Sequence, residues 1–236
     1  MSEAQAPTTD QGGTPGPAFR RWMVRPEAPA LVFLAVLVVA FTLSSDKFLS
    51  GSNLESIVVS VAVLGTIALA VNQVILAGEI DISTGSMMGL CAVAAGAVAT
   101  STGGLILPLL AGVAVGALAG AVNGVLVTLG RIPSIIVTLG MLYALRGVIL
   151  LATGGTWITG IPSETRVLGT GSVLGIEYPV IVLLVLFVVM ELVSRHSTWG
   201  RNVFAVGGNR RAARLAGLPI DRVRFLAFVL VGSSSA

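Results

Sequence analysis

The sequence predicts an all-α protein, a polytopic transmembrane helix bundle with about six full spans and a truncated seventh. Hydrophobic residues make up 55% of its 236 residues and charged residues only 11%, whereas soluble domains are about one quarter charged. The apolar residues also form long uninterrupted runs, and about 20 helical residues cross the roughly 30 Å hydrocarbon core of a bilayer. Together these two observations predict an integral membrane protein.

Six runs are long enough to be read as full spans. They cover residues 28–43, 57–77, 84–99, 104–129, 135–152 and 178–193, and a seventh run begins near Val223 and reaches the last residue, Ala236, after about half a crossing. Residues 28–236 are therefore predicted to form one transmembrane domain.

The segment before the first span, residues 1–27, is predicted to be disordered. Its first 19 residues are rich in Pro, Gly, Thr and Ala and bury too little apolar area to become ordered. The basic residues Arg20, Arg21 and Arg25 precede a full-length span and no short cleavable core, which favours an uncleaved anchor.

The arginines predict the orientation of the chain, because cytoplasmic loops hold the excess of basic residues. The N-terminus, Arg131 and the loop 195–224 are expected inside a bacterial plasma (inner) membrane, and the loop that contains Glu164 and Arg166 is expected outside. The arginines are thereby explained by topology, and no nucleic-acid partner is expected.

Residues 78–86 place two carboxylates and several hydroxyl groups between apolar runs. A carboxylate at membrane depth costs several kcal/mol unless it faces water, a partner or a solute. Glu79, Asp81 and Ser83 are therefore candidates for a helix break or for the translocation pathway. A polar turn at the membrane surface is the alternative that the residues leave open.

The run 104–129 carries glycines at strict intervals of four, which places them on one helical face. Small residues at this spacing let two helix backbones approach closely in a membrane. A close helix contact is predicted at Gly112, Gly116, Gly120 and Gly124, and a glycine-lined pore is the alternative. The polar residues Asn72, Gln73 and Asn123 are each expected to face the protein interior.

Catalytic, metal and nucleotide sites are not predicted. Cys91 and His196 are the only cysteine and histidine, so no disulfide and no Cys/His metal site is supported. No phosphate-binding loop of the Gly-x-x-x-x-Gly-Lys-Ser/Thr type is present. We expect no cofactor and no enzymatic activity, and any ATP is expected to be bound by another subunit.

The loop 195–224 is predicted to contain a short helix parallel to the membrane. Asn209 is a good N-cap, residues 210–216 can form two turns, and Gly217 before Leu218 and Pro219 provides a C-terminal stop. A basic cytoplasmic loop without further role is the alternative.

These motifs resemble the permease subunits of bacterial ATP-binding-cassette importers for ribose and related sugars. Residues 78–86 are similar to that family's Gly-Gly-Ile-Asp-Leu-Ser-Val-Gly-Ser motif, with Glu79 in place of a glycine and Thr84 in place of a valine. Two further blocks match at residues 123–147 and 200–217. Glu79 and residues 154–162 look more like the rhamnose and autoinducer-2 permeases than the ribose permeases.

The resemblance implies partners and roles. It implies a second permease subunit, identical or different, two cytoplasmic cassette ATPase subunits and an extracytoplasmic solute-binding protein, besides the membrane lipid. It implies that the short helix is the coupling helix that contacts the ATPase. The candidate binding-protein contact is Arg166, and the candidate coupling residues are Asn209, Arg210, Arg211, Arg214 and Leu215.

The sequence departs from this family in two respects. Arg210 and Arg211 stand where relatives often have acidic residues. Family members continue for roughly another hundred residues, so the chain is expected to be a fragment or truncated product that does not transport alone. A proton-coupled secondary transporter that uses Glu79 or Asp81 is the main alternative, and a membrane-embedded enzyme is the remote one.

Overall fold

The computed structural model describes residues 28–236, and the predictions for residues 1–27 lie outside the described residues. The described chain is helical apart from one small hairpin, which confirms the all-α class. In chain order its elements are α1 (Ala28–Ser44), α2 (Gly51–Leu76), α3 (Thr84–Thr102), α4 (Ile106–Thr128), α5 (Ser134–Thr153), α6 (Ser163–Thr170), β1 (Ser172–Val173), β2 (Ile176–Glu177), α7 (Tyr178–His196), α8 (Thr198–Gly208), α9 (Arg210–Leu215) and α10 (Ile220–Ser234).

The chain divides into two compact units. The first ends at Ser56, and its described part contains α1 and the start of α2, with Phe41 stacked on Phe48 at 5.5 Å between ring centroids. The second unit is Ile57–Ala236. Every contact discussed below lies within the second unit.

Five helices of the described chain are long and apolar enough to span a membrane: α2, α3, α4, α5 and α7. Five of the six predicted full spans are therefore helices of membrane length, and the first predicted span, 28–43, corresponds to α1. The described α1 has 17 residues, about 26 Å of helix at 1.5 Å per residue, and it ends where Ser45 and Asp46 replace the apolar run. The seventh apolar run is the helix α10, which begins at Ile220.

The glycine face of α4 contacts α10. Adding a Cβ atom would create a clash under 3 Å at three of its glycines: Gly116 (2.1 Å from the Gly232 carbonyl oxygen), Gly120 (2.3 Å from the Phe228 carbonyl oxygen) and Gly124 (2.7 Å from Phe225 Cδ2). At Gly112 the nearest atom is the Ala236 Cβ, at 3.3 Å. The predicted close helix contact is thus present: α3 flanks the glycine face, and the closest backbone approach is to α10.

A buried apolar cluster joins several helices of the second unit. Val74 of α2, Val127 of α4 and Val206 of α8 pack with Ala213 of α9 and Phe228 of α10. The helix α8 was not predicted as a separate element. Through this cluster the short helix α9 is fixed to the ends of the longer helices.

Two of the three polar residues expected inside the bundle are buried. Gln73 donates to Ser194 Oγ at 3.4 Å and accepts from Trp199 Nε1 at 3.4 Å, and Asn123 is fully buried. Asn72 is exposed, so its predicted inward orientation is wrong. Neighbouring helical positions point about 100° apart, and Gln73 holds the inward position.

Candidate functional site

The helix α2 ends in a tight backbone motif at Gly78. Gly78 has a φ of +77°, and its N–H donates to the Ile75 carbonyl, while the Glu79 N–H donates to the Val74 carbonyl. Only glycine adopts this left-handed conformation without strain. The motif turns the chain out of α2 and fixes the direction in which Glu79 leaves the helix.

The Glu79 carboxylate forms ion pairs with two arginines. Its Oε1 accepts from Arg210 Nη2 and, at 2.6 Å, from Arg224 Nε. Arg210 Nη2 also donates to the Gly78 carbonyl at 2.7 Å. Arg210 is the first residue of α9 and Arg224 lies in the first turns of α10, so Glu79 ties the end of α2 to both helices.

The side chains of Glu79, Arg210 and Arg224, which we call the Glu79 cluster, differ in exposure. The Glu79 side chain is 5% exposed and that of Arg224 15%, whereas that of Arg210 is 45% exposed. Asp221 is a weaker second partner for Arg224, at 3.5 Å. Sequence reasoning assigned Glu79 and Arg210 to separate sites and did not single out Arg224.

Local backbone chemistry positions Arg210. The Asn209 side chain accepts from the Ala212 N–H at 3.0 Å and so caps α9. At the other end Gly217 has a φ of +73°, and the Leu218 N–H donates to the Ala213 carbonyl. The short helix and both of its caps are as predicted from the sequence.

A close backbone approach places α9 beside the end of α2. A Cβ atom on Gly207, near the end of α8, would lie 1.8 Å from the Leu76 carbonyl oxygen. Only glycine fits this contact, which brings the chain ahead of Asn209 against the last turn of α2. Arg210 can therefore reach both Gly78 and Glu79.

Asp81 and Ser83 form a second, buried cluster with Asn123. Asp81 Oδ1 accepts from the Ser83 N–H at 2.8 Å and from Ser83 Oγ at 2.6 Å, and Asn123 Nδ2 donates to Ser83 Oγ at 2.9 Å. Asp81 Oδ2 and Asn123 Oδ1 are buried without a hydrogen-bond partner among the described residues.

The segment between α2 and α3 is anchored on α5. The Ile80 N–H donates to Ser134 Oγ at 3.2 Å, and Ser86 Oγ donates to the Leu142 carbonyl at 2.9 Å. Residues 79–83 thus follow α5 inward from its first residue. Glu79 lies at the ends of the helices, and Asp81 and Ser83 lie deeper, beside Asn123.

A cavity of about 620 Å³ opens beside Glu79. Its charged lining residues are Glu79, Arg131, Arg210, Arg214, Asp221 and Arg224. We call this part of the second unit, where α2 and α4 end and α5 and α10 begin, the arginine end. Arg131 and the loop 195–224, which arginine placement predicts on one side of the membrane, lie together here, and the N-terminus lies outside the described residues.

The remaining predicted site residues are exposed. Arg211 and Leu215 of α9 are exposed, Leu215 by 84%. Arg166 is exposed on α6, and the neighbouring Thr165 Oγ1 donates to the Gly104 carbonyl at 2.7 Å. Gly104 precedes α4 and Arg131 follows it, so Arg166 lies at the opposite end of a helix about 35 Å long. The structure does not bring Arg166 near the Glu79 cluster.

Residues 28–236 contain no group of three or more His, Cys, Asp or Glu side chains placed to hold a metal ion. The polar clusters of the site are ion pairs and hydrogen bonds between helix ends. These charge-assisted pairs hold the helix ends that carry them in a fixed geometry.

Five membrane-length helices together with a charged cluster at their ends define a multi-pass membrane protein. Residues 53–236 match the family described as branched-chain amino acid transport system / permease component, and the chain belongs to this family. The resemblance found in the motifs is confirmed.

The chain is also similar to proteins named as permeases of sugar and autoinducer 2 import systems. It is 37% identical over 97% of its length to the L-arabinose ABC transporter permease protein AraH of Azospirillum brasilense, covering 66% of that protein. It is 39% identical over 86% of its length to the autoinducer 2 import system permease protein LsrC of Enterobacter sp. (strain 638), and 37% identical over 89% to LsrC of Salmonella typhi, covering 60% of each. The chain thus spans about three fifths to two thirds of these relatives. No solved structure matches.

Proposed function

We propose that the chain is a permease subunit of an ATP-binding-cassette importer for a monosaccharide or sugar-like solute. The relatives are named as permeases for L-arabinose and for autoinducer 2, and the sequence motifs add rhamnose and ribose to the candidates. These solutes share a small, polyhydroxylated skeleton. The permease has no catalytic role in this proposal, and ATP is hydrolysed by a partner.

The ion pair between Glu79 and Arg210 is the observation that supports this proposal most strongly. An importer driven by a separate ATPase needs a mechanical connection from its ATPase contact to its membrane helices. The helix α9 has an exposed Leu215 at its end and carries Arg210 at its start, and Arg210 is bonded to Gly78 and Glu79. A displacement of α9 would therefore reach the break between α2 and α3 directly.

In this proposal the arginine end is cytoplasmic, in agreement with the positive-inside rule. The cassette ATPase then contacts α9 through Arg211, Arg214 and Leu215. The solute-binding protein contacts the opposite end, where Arg166 lies. A second permease subunit completes the pathway, and Asp81 with Ser83 shapes the helix break or meets the solute.

Uptake driven by ATP tests the proposal. The permease, its cassette ATPase and its binding protein are reconstituted in sealed vesicles with labelled L-arabinose, L-rhamnose, D-ribose or autoinducer 2. We expect uptake of one of them that requires ATP and persists with a proton uncoupler. Uptake that needs no ATP and stops with the uncoupler would instead identify the proton-coupled transporter.

A further inference from the structure

The cavity at the arginine end has an excess of positive charge. Four arginines line it against two carboxylates, and both carboxylates are engaged, since Glu79 pairs with Arg210 and Arg224 and Asp221 pairs with Arg224. Arg131 and Arg214 have no carboxylate partner in the described part of the chain. Two exposed guanidinium groups that pair with no described carboxylate therefore line the cavity.

Arg131 is also held in an unfavourable backbone conformation. Its φ is +54°, in the left-handed region where a residue with a Cβ atom is strained and glycine is not. Strain of this kind is concentrated at ligand-binding and switch positions. The neighbouring Gly130 has no positive φ, so the turn places the strain on the residue whose charge lines the cavity.

The start of α5 adds further donors. Pro133, Ser134 and Ile135 line the cavity at the N-terminus of this 20-residue helix. The first N–H groups of a helix lack partners within it and favour an anion. The helix end and the Arg131 side chain border the same space.

Exposed apolar side chains flank the segments that line this cavity. Leu129, next to the lining residue Thr128, is 76% exposed, and Ile136, next to the lining residue Ile135, is 62% exposed. They lie at the end of α4 and the start of α5, which are both membrane-length helices. Basic pockets between transmembrane helices at the membrane surface bind the head groups of anionic lipids. Acyl chains would pack on these flanking side chains while a phosphate enters the cavity.

We propose that the cavity beside Arg131 binds the phosphate group of an anionic phospholipid. Arg131 and the N-terminus of α5 are the donors, and the exposed apolar side chains of Leu129 and Ile136 contact the chains. The cavity borders the ion pairs of Glu79 with Arg210 and Arg224. A bound lipid would stabilise the arrangement in which α9 is attached to α2.

Lipid retention tests this proposal on the purified 236-residue chain. The protein is titrated in neutral detergent with phosphatidylglycerol or phosphatidylcholine, and bound lipid is counted by native mass spectrometry. We expect Arg131→Gln to weaken phosphatidylglycerol binding about tenfold, the effect of losing one hydrogen bond to a charged group. Arg131→Lys keeps the charge and the strain and is expected to retain most binding, and Arg166→Gln at the opposite end is the matched control.

A second variant separates binding from folding. Arg131→Gly removes the charge and also the left-handed strain, so it should unfold at a higher temperature than the wild type in neutral detergent. It should gain no further stability from phosphatidylglycerol, whereas the wild type should gain several degrees. Equal gains by both proteins would overturn the proposal.

Two other results would also overturn it. If inorganic phosphate or glycerol phosphate stabilises the wild type as well as phosphatidylglycerol does, the cavity binds free phosphate and not lipid. If Arg131→Gln retains lipid normally but no longer co-purifies with a cassette ATPase, the cavity is a protein contact. Neither outcome depends on whether the chain transports a sugar.

Discussion

Glu79, at the end of α2, is ion-paired with Arg210, the first residue of α9, across 131 positions of sequence. The sequence of this chain departs from the motif of the family it resembles at both positions, with a carboxylate in place of a glycine and an arginine where acidic residues are common. The structure shows that the two departures contact each other. In the proposed importer this contact connects the ATPase side to the helix break.

The cluster around Glu79 is expected to contribute unequally to stability. Glu79→Ala leaves the largely buried Arg224 with only the weaker partner Asp221 at 3.5 Å, so the loss should approach the cost of an uncompensated buried charge, about 3–5 kcal/mol. Arg210→Ala removes a half-exposed partner and should cost about 1 kcal/mol or less. Thermal unfolding of both variants in detergent measures the difference. Equal losses would contradict the burial argument.

Asp81 is expected to be required for transport and not for insertion. Asp81→Ala removes the acceptor of both Ser83 hydrogen bonds and frees the segment before α3. In a complete importer this variant should reach the membrane in normal amounts and show no uptake. Ile82→Ala, an exposed neighbour in the same segment, is the control. Normal uptake by Asp81→Ala would show that the segment is only a polar turn at the membrane surface.

The glycine face of α4 offers a test with an internal control. Gly116→Ala places a Cβ 2.1 Å from the Gly232 carbonyl oxygen, whereas a Cβ on Gly140 of α5 meets nothing within 4 Å. We expect Gly116→Ala to destabilise the protein by at least about 1–3 kcal/mol and Gly140→Ala to be neutral or slightly stabilising. The unfolding temperature of each variant in detergent measures the difference. Similar unfolding temperatures would contradict the close contact between α4 and α10.

Arg166 is expected to affect docking of the binding protein alone. Arg166→Glu should raise the binding-protein concentration needed for half-maximal uptake by a few fold, because an exposed ion pair contributes about 0–1 kcal/mol. Arg166→Lys keeps the charge and should behave as the wild type. An unchanged half-maximal concentration in Arg166→Glu would make this side chain an ordinary solvated residue.

The features predicted correctly from the sequence depend on local chemistry. Asn209 and Gly217 predict both ends of α9 because capping uses backbone groups only a few residues away. The spacing of Gly116 and Gly120 predicts one close-packed helix face. Apolar run length predicts the five membrane-length helices, and it also predicts the described extent of α1, expected over 28–43 and observed over Ala28–Ser44.

The features that sequence reasoning missed depend on contacts between distant residues. Arg224 contacts Glu79 across 145 positions of sequence. In the sequence Arg224 is one of several arginines in a basic stretch, and nothing local distinguishes it as the partner of Glu79. The contact of the α4 glycines with α10 has no local signal either, since spacing identifies a face and not its partner. The run Gly207-Gly208-Asn209 is a sequence signal for the position of α9, because glycines directly before an N-cap are typical of a close backbone approach. In the structure Gly207 approaches Leu76 in this way.

Co-purification of the cassette ATPase tests the central proposal most directly. In the complete permease, Arg214→Glu together with Leu215→Asp places charge on the exposed end of α9, and a buried unpaired charge at an interface costs several kcal/mol. Leu174→Asp, equally exposed in the turn between β1 and β2, is the control. We predict that the α9 variant loses the ATPase while Leu174→Asp keeps it. Normal co-purification of the α9 variant, with uptake that an uncoupler abolishes, would contradict the importer and favour the proton-coupled transporter.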